Sequence, residues 1–192
     1  MKKIFFFSNN INKINEIQNI VSKKKIKVLS ILDFEFLKEP IENGISFSEN
    51  AKIKSYFGYK KTLLPTFADD SGICIEALNW KPGIHSKKFL NNFKKMDECF
   101  NYIINKANMK SKYKAFFKTS ICLTLKESYH IVFEGRVNGT ISEKPIGKNG
   151  FGYDPIFIPS ENNRTYGEMT KKEKNSFSHR SIAINKLLDF LN

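Results

Sequence analysis

Phe67-Ala68-Asp69-Asp70-Ser71-Gly72-Ile73-Cys74-Ile75-Glu76-Ala77-Leu78 is the stretch on which the fold turns. An apolar approach runs into two adjacent carboxylates, Asp69 and Asp70, and then into a Ser-Gly pair that reads as a turn. Beyond it Ile73, Ile75 and Ala77 alternate as a strand running back into a core. Two carboxylates at a strand end are costly, because like charges repel and burial disfavours both ionised forms. A divalent cation removes that cost, and Mg²⁺ takes one or two carboxylates together with waters and substrate phosphate. The same residues also read as a solvated Asp-Ser-Gly surface turn, and the stretch alone leaves both readings open.

Upstream, Lys2–Phe7 is apolar and aromatic and predicts a first strand. Ser8-Asn9-Asn10 then turns into a helix with Ile11, Ile14, Ile17 and Val21 on one face. A strand–turn–helix junction presents free backbone N–H groups, an anion site that Lys13 can reach, although any capped helix looks similar. Ile26–Leu32 predicts a second strand, and Lys38–Gly44 a polar connection carrying Glu39 and Glu42. Ser46-Phe47-Ser48-Glu49 has capping-box spacing, which starts a helix near Phe47 that runs to Lys61 and is closed by Pro65.

Downstream, Lys81-Pro82-Gly83 predicts a turn, followed by His85-Ser86-Lys87-Lys88-Phe89, in which the lone His85 reads as a loop residue. Met96–Lys106 predicts a helix, and Lys112–Lys126 with Tyr129–Ser142 a long hairpin. Lys144–Pro159 is a Gly-rich loop around Gly150-Phe151-Gly152-Tyr153-Asp154-Pro155. Gly150 and Gly152 let backbone approach a ligand, and Phe151 or Tyr153 offers a ring to stack on; a tight loop around core aromatics is the alternative. Ala183, Ile184, Leu187, Leu188 and Leu191 form the core stripe of a last helix. Ser178 is its natural N-cap, which puts His179 and Arg180 in the first turn, where cations oppose the helix dipole. Such a placement calls for a reason other than folding.

With 192 residues, 41% of them hydrophobic and 18 of them Phe, the chain is globular and long enough for a sizeable core. No linker, repeat or low-complexity tract divides it, so residues 1–192 read as one domain. The net charge of +13 invites a nucleic-acid reading. Yet the lysines are scattered, at 23–25, 60–61, 94–95 and 171–172, without a binding motif, so the expectation is a solvated surface and no specific nucleic acid. Three cysteines form no C-x-x-C, and the apolar run in Met1–Phe7 is too short for a signal peptide, which together read as a cytoplasmic protein. No stretch approaches the ~20 apolar residues of a membrane helix.

In order, Ser8-Asn9-Asn10 with Lys13 and Glu16, Phe47 with Glu49-Asn50-Ala51, Ala68–Gly72, Pro82-Gly83, Gly150–Pro155 and Lys174 with Ser178-His179-Arg180 resemble the inosine triphosphate pyrophosphatases over nearly the whole chain. Those enzymes hydrolyse ITP, dITP and XTP to monophosphate and pyrophosphate. The resemblance implies an α/β fold with a long mixed central sheet flanked by helices, two lobes with a cleft between them, a homodimer, and Mg²⁺ as cofactor. It implies that Ser8, Asn9, Asn10 and Lys13 cradle the triphosphate, with Lys54, Ser71 and Lys87 (or Lys88) as further contacts. Glu42, or Glu39 in its place, and Asp70 would hold the metal, with Asp70 also the catalytic base. Phe151, Gly152, Tyr153 and Asp154 would sandwich and read the base, helped by Lys174, His179 and Arg180. The chain departs from the family's pattern at Asn9, where Gly is usual, and at Lys87-Lys88, where Ala-Arg is usual.

Overall fold

The computed structural model describes residues 2–22, 26–34 and 38–191, so the lysine run at 23–25 lies outside the described residues. The strands are β1 (Lys2–Phe6), β2 (Ile26–Ser30), β3 (Thr66–Ile75), β4 (Lys81–Pro82), β5 (Lys114–Lys126), β6 (Tyr129–Ile141) and β7 (Phe157–Pro159). They form one sheet in the order β2-β1-β3-β5-β6-β7, with β4 on β3. It is mixed: β1 is parallel to β2 and β3, while β4 and β7 lie antiparallel to their neighbours. Among the described residues six helices accompany it: α1 (Ile11–Val21), α2 (Phe47–Thr62), α3 (Ser86–Asn91), α4 (Met96–Lys110), α5 (Lys171–Phe177) and α6 (His179–Leu191).

The chain forms two compact units. The first gathers residues 1–70, 119–135 and 180–192, the second 71–118 and 136–179. Both are discontinuous, and the chain passes from one to the other at four places, three inside strands and one inside α6.

In the first unit, the alternation of β1 decides the packing. Ile4 and Phe6 join α1 (Ile14, Ile17, Val21) and α6 (Ala183, Ile184, Leu187, Leu188). Phe5 and Phe7 point the other way and pack with Ala68 and Phe57 of α2. Each fully buried aromatic contributes roughly 1.5–3 kcal/mol of transfer free energy, so this double-sided strand anchors the unit. Ile11, read from the sequence as part of the apolar face of α1, is half exposed instead. In the second unit, Ile73 and Ile75 of β3 pack with Cys99, Phe100, Ile103 and Ile104 of α4 and with Phe117, Phe157 and Tyr166.

The Ser-Gly turn expected after Asp70 is absent: β3 runs extended through Asp69, Asp70, Ser71 and Gly72. Gly72 has a different use. A Cβ there would lie 2.1 Å from Gly83 O and 2.5 Å from Ser86 Oγ, so only glycine admits the segment that leads into α3. Ser86 Oγ then accepts from Ile73 N at 2.9 Å and donates to Gly83 O at 2.6 Å. The run after His85 is therefore helix, α3, bolted to β3 by its first residue. The Gly-rich loop also ends differently, in β7 paired to β6.

Candidate active site

Successive side chains of an extended strand point to opposite faces, and this separates the two carboxylates of β3. Asp69 follows the direction of Phe67, which packs against Phe6 in the core with α1 and α6. Asp70 follows Ala68, on the face covered by α2.

On the first face Asp69 is buried and accepts Lys13 Nζ at 3.0 Å and Arg180 Nε at 3.3 Å. Arg180 also pairs with Glu16, one turn after Lys13 on α1. The network alternates in sign, Glu16–Arg180–Asp69–Lys13, which is how two buried charges, flanked by two half-buried ones, become tolerable. Burial pushes the Lys13 ammonium below its ordinary value against the pull of Asp69. Burial works against the Arg180 cation too, but Glu16 and Asp69 outweigh it and hold the guanidinium charged.

On the second face Asp70 Oδ2 accepts from Asn50 Nδ2 at 3.2 Å, and Oδ1 lies 3.6 Å from Lys54 Nζ. Lys54 also reaches Glu42 Oε1 at 3.1 Å. Asn50 and Lys54 stand four residues apart on α2, hence on one helix face. That helix is placed by Ser46 Oγ accepting from Glu49 N at 3.2 Å, while the Glu49 carboxylate accepts from Ile45 N at 2.8 Å. Burial raises the Asp70 carboxyl above its usual range, with Lys54 and Lys13 opposing. Burial alone would lower Lys54, but Asp70, Asp69 and Glu42 outweigh it and raise it.

The loop before α1 is ordered by its own side chains. Asn10 caps the helix, accepting from Asn12 N at 3.0 Å and Lys13 N at 3.3 Å. Ser8 Oγ accepts from Asn10 N at 3.2 Å. Asn9 lies outside the left-handed region, so the usual glycine is not demanded by backbone conformation here. Its N–H donates to Glu39 at 2.9 Å. Glu39 is thus engaged with this loop, whereas Glu42 shares Lys54 with Asp70. Among the described residues no three His, Cys, Asp or Glu side chains gather as a metal cage. Two carboxylates around one ammonium still suit Mg²⁺, which completes its shell with waters and phosphate oxygens.

In the second unit, Asp154 Oδ2 accepts from Phe151 N at 2.7 Å and from Lys174 Nζ at 2.7 Å. Gly150 permits this, since a Cβ there would sit 2.0 Å from that same oxygen. Lys174 lies 4.8 Å from the centroid of the half-buried Phe151 ring. Gly152 has φ +63° and open space where a Cβ would be. Tyr153 is a core residue whose hydroxyl donates to Ser86 O at 2.8 Å, so of the two candidate stacking rings Phe151 is the more accessible. His179 is buried, stacked on Phe117 at 4.6 Å and 7°. Lys87 and Lys88 are both exposed on α3, and Ser71 is half-buried in β3.

Asn50 and Glu16, quoted in the sequence motifs without a role, have one here: Asn50 donates to Asp70 of the acidic strand, and Glu16 holds Arg180, the partner of Asp69. Their spacing was the available signal, three residues from Lys13 to Glu16 and four from Asn50 to Lys54. Ser86, which ties α3 to β3 and receives Tyr153, carried no such signal.

A model of the Ham1 family matches residues 4–190. The chain is 35% identical to a dITP/XTP pyrophosphatase of Porphyromonas gingivalis, covering all of this chain and 98% of the relative. It is 40% identical to a dITP/XTP pyrophosphatase of Borrelia duttonii, again over all of this chain and 98% of the relative. The solved structure of a HAM1 protein from Coxiella burnetii superposes with a TM-score of 0.89 at 35% identity, over 100% of this chain and 98% of that one. With matches of this extent in sequence and in fold, the chain belongs to the Ham1 family.

Proposed function

We propose that this chain hydrolyses deaminated purine nucleoside triphosphates (ITP, dITP and XTP) to the monophosphate and pyrophosphate, with Mg²⁺ as cofactor. One observation carries the chemistry: Lys54 stands between Asp70 and Glu42, an ammonium and two carboxylates where a cation and a phosphate chain can be received. The choice of substrate follows relatives that bear the name dITP/XTP pyrophosphatase. The family's cytoplasmic homodimer is part of the same reading, and sedimentation analysis tests the assembly.

Glu42 and Asp70 would hold the metal, which when bound neutralises charge on the departing pyrophosphate. Lys13 and Lys54 bind phosphate oxygens, and Ser8, Asn9 and Asn10 complete the cradle. Asp70 orients the attacking water at the α-phosphorus and takes up its proton. Its raised pKa suits that role, because burial makes the carboxylate a better proton acceptor. Asn50 fixes the carboxylate's rotation by holding one oxygen. Phe151 offers its ring face to the base, on a loop held by Asp154 and Lys174, and His179 lies within the same unit as a donor for the 6-oxo group.

The test is a panel of ITP, dITP, XTP, ATP, GTP and pyrimidine triphosphates with and without Mg²⁺, with products resolved by ion exchange. Inosine monophosphate and pyrophosphate are expected from ITP. Inosine diphosphate with orthophosphate, or equal turnover of every triphosphate, overturns the reading.

A further inference from the structure

We propose that a cavity in the second unit, built from other residues than those above, binds a phosphate monoester carrying an aromatic ring, the chemistry of a nucleoside monophosphate. The cavity has a volume of about 440 Å³, within the range of small-molecule sites. Its wall is apolar: Leu78 from the 3-10 turn that follows β3, Pro82 from β4, Phe89 from α3, and Tyr102 from α4. Phe89 and Tyr102 are set at 54° with centroids 6.2 Å apart, so they form an aromatic corner and not a closed stack.

The rim is cationic. Lys81, Lys106, Lys110 and His85 line the cavity, and none of the described residues lining it is acidic. Lys110 Nζ donates to Ala77 O at 2.7 Å, which fixes one ammonium at the wall. Lys106 Nζ lies 5.6 Å from the Tyr102 ring centroid. Three ammonium groups beside one apolar wall give an anion a cationic border to meet. A phosphate monoester, carrying about −1.5 to −2 charges at neutral pH, answers three lysines better than a single carboxylate does. Its aromatic body answers Phe89 and Tyr102. At one border the chain itself is strained: Asn79, which lines the cavity, and Trp80 both hold positive φ, at 53° and 64°. Consecutive non-glycine residues in that conformation persist only where the surroundings enforce them, and such strain concentrates at binding sites.

Trp80 lies between Asn79 and Lys81 in sequence but packs its ring on Phe116, 5.5 Å between centroids, so binding to the cavity is read by calorimetry. The full chain is titrated with inosine monophosphate, with phenyl phosphate and with inorganic phosphate, and bound inosine monophosphate is counted by equilibrium dialysis. A saturable change with both aromatic phosphates and a weaker one with inorganic phosphate are expected. Lys81→Glu/Lys106→Glu should raise that Kd at least about tenfold, the scale of losing charge-assisted hydrogen bonds, and leave triphosphate hydrolysis unchanged. Lys13→Ala should leave the calorimetric titration intact, which separates this cavity from product held at the phosphate cradle. The proposal is overturned if dialysis counts the same number of bound molecules before and after the double substitution, or if Lys13→Ala alone abolishes the signal.

Discussion

Arg180 Nε donates to Asp69 Oδ2 at 3.3 Å, a bond between residues 111 positions apart. A guanidinium engaged with Asp69 and Glu16 serves the acidic strand before it serves a purine. Removing one member of a buried charge network leaves its partners unsatisfied, at a cost of about 3–5 kcal/mol. Arg180→Ala should therefore lower stability on that scale by denaturant titration. It should also depress ITP and ATP turnover together, leaving the ratio between them unchanged. A selective loss of ITP turnover would return Arg180 to the base.

Asp70→Asn keeps shape and the capacity to bond Asn50 but removes the charge. Turnover should fall at least about 10²–10³-fold, the scale of a lost base or oriented group. Folding should survive, because the substitution relieves a carboxylate that burial already disfavours. Pyrophosphate release and a thermal melt read the two effects separately.

The pH dependence follows from two shifts of opposite sense. Asp70 is raised from 3.8 by burial, so catalysis should rise with pH across a limb lying above that value. The sign for stability is the reverse: the folded state keeps this proton longer than the unfolded chain, so Asp70's contribution declines as pH climbs through the same interval. Lys13 is lowered from 10.5, so phosphate affinity should weaken on the alkaline side before an ordinary lysine would titrate. A profile of kcat/KM against pH in the wild-type chain and in Asp70→Asn checks both limbs, the acidic one disappearing in the variant.

Glu42 and Glu39 are close in sequence and separate in use. Glu42→Gln should weaken activation by Mg²⁺ about ten- to a hundredfold, while Glu39→Gln, which loosens a contact to Asn9 N, should leave the Mg²⁺ requirement nearly intact. Titrating activity with Mg²⁺ in both variants decides between them.

Gly150 and Gly152 both hold positive φ but are not equivalent. Gly152→Ala meets only the conformational penalty, about 1–2 kcal/mol. Gly150→Ala adds a methyl 2.0 Å from Asp154 Oδ2 and must break the bonds to Phe151 and Lys174. Thermal melts should rank Gly150→Ala well below Gly152→Ala.

Much of this was legible along the chain. The Ser46–Glu49 cap, the hairpin strands and the C-terminal apolar stripe each declare themselves through local chemistry. The central strand was legible too, but Gly72 misled, because a glycine chosen for close packing and one chosen for a turn look the same in sequence. Asp69 and Asp70 were read as one crowded pair. Only the absence of a turn at Ser71-Gly72, directly after them, lets strand alternation govern the pair, and that depended on Gly83 and Ser86, more than ten residues on. Partners separated by long stretches, such as Asp69 with Arg180 and Tyr153 with Ser86, leave no periodic trace at all.

The first unit draws on three separate segments, and this matters while the chain is being synthesised. Lys13, Glu16 and Asp69 leave the ribosome long before Arg180. A domain whose charge network needs a residue from the final helix cannot close in the order it is made. Until α6 arrives, Asp69 has Lys13 for company and Glu16 has no guanidinium, so the nascent unit must stay open or solvated there. Closure of the acidic strand therefore waits on α6, and a nascent chain halted before Arg180 should remain protease-sensitive around β3 however long it is given to fold.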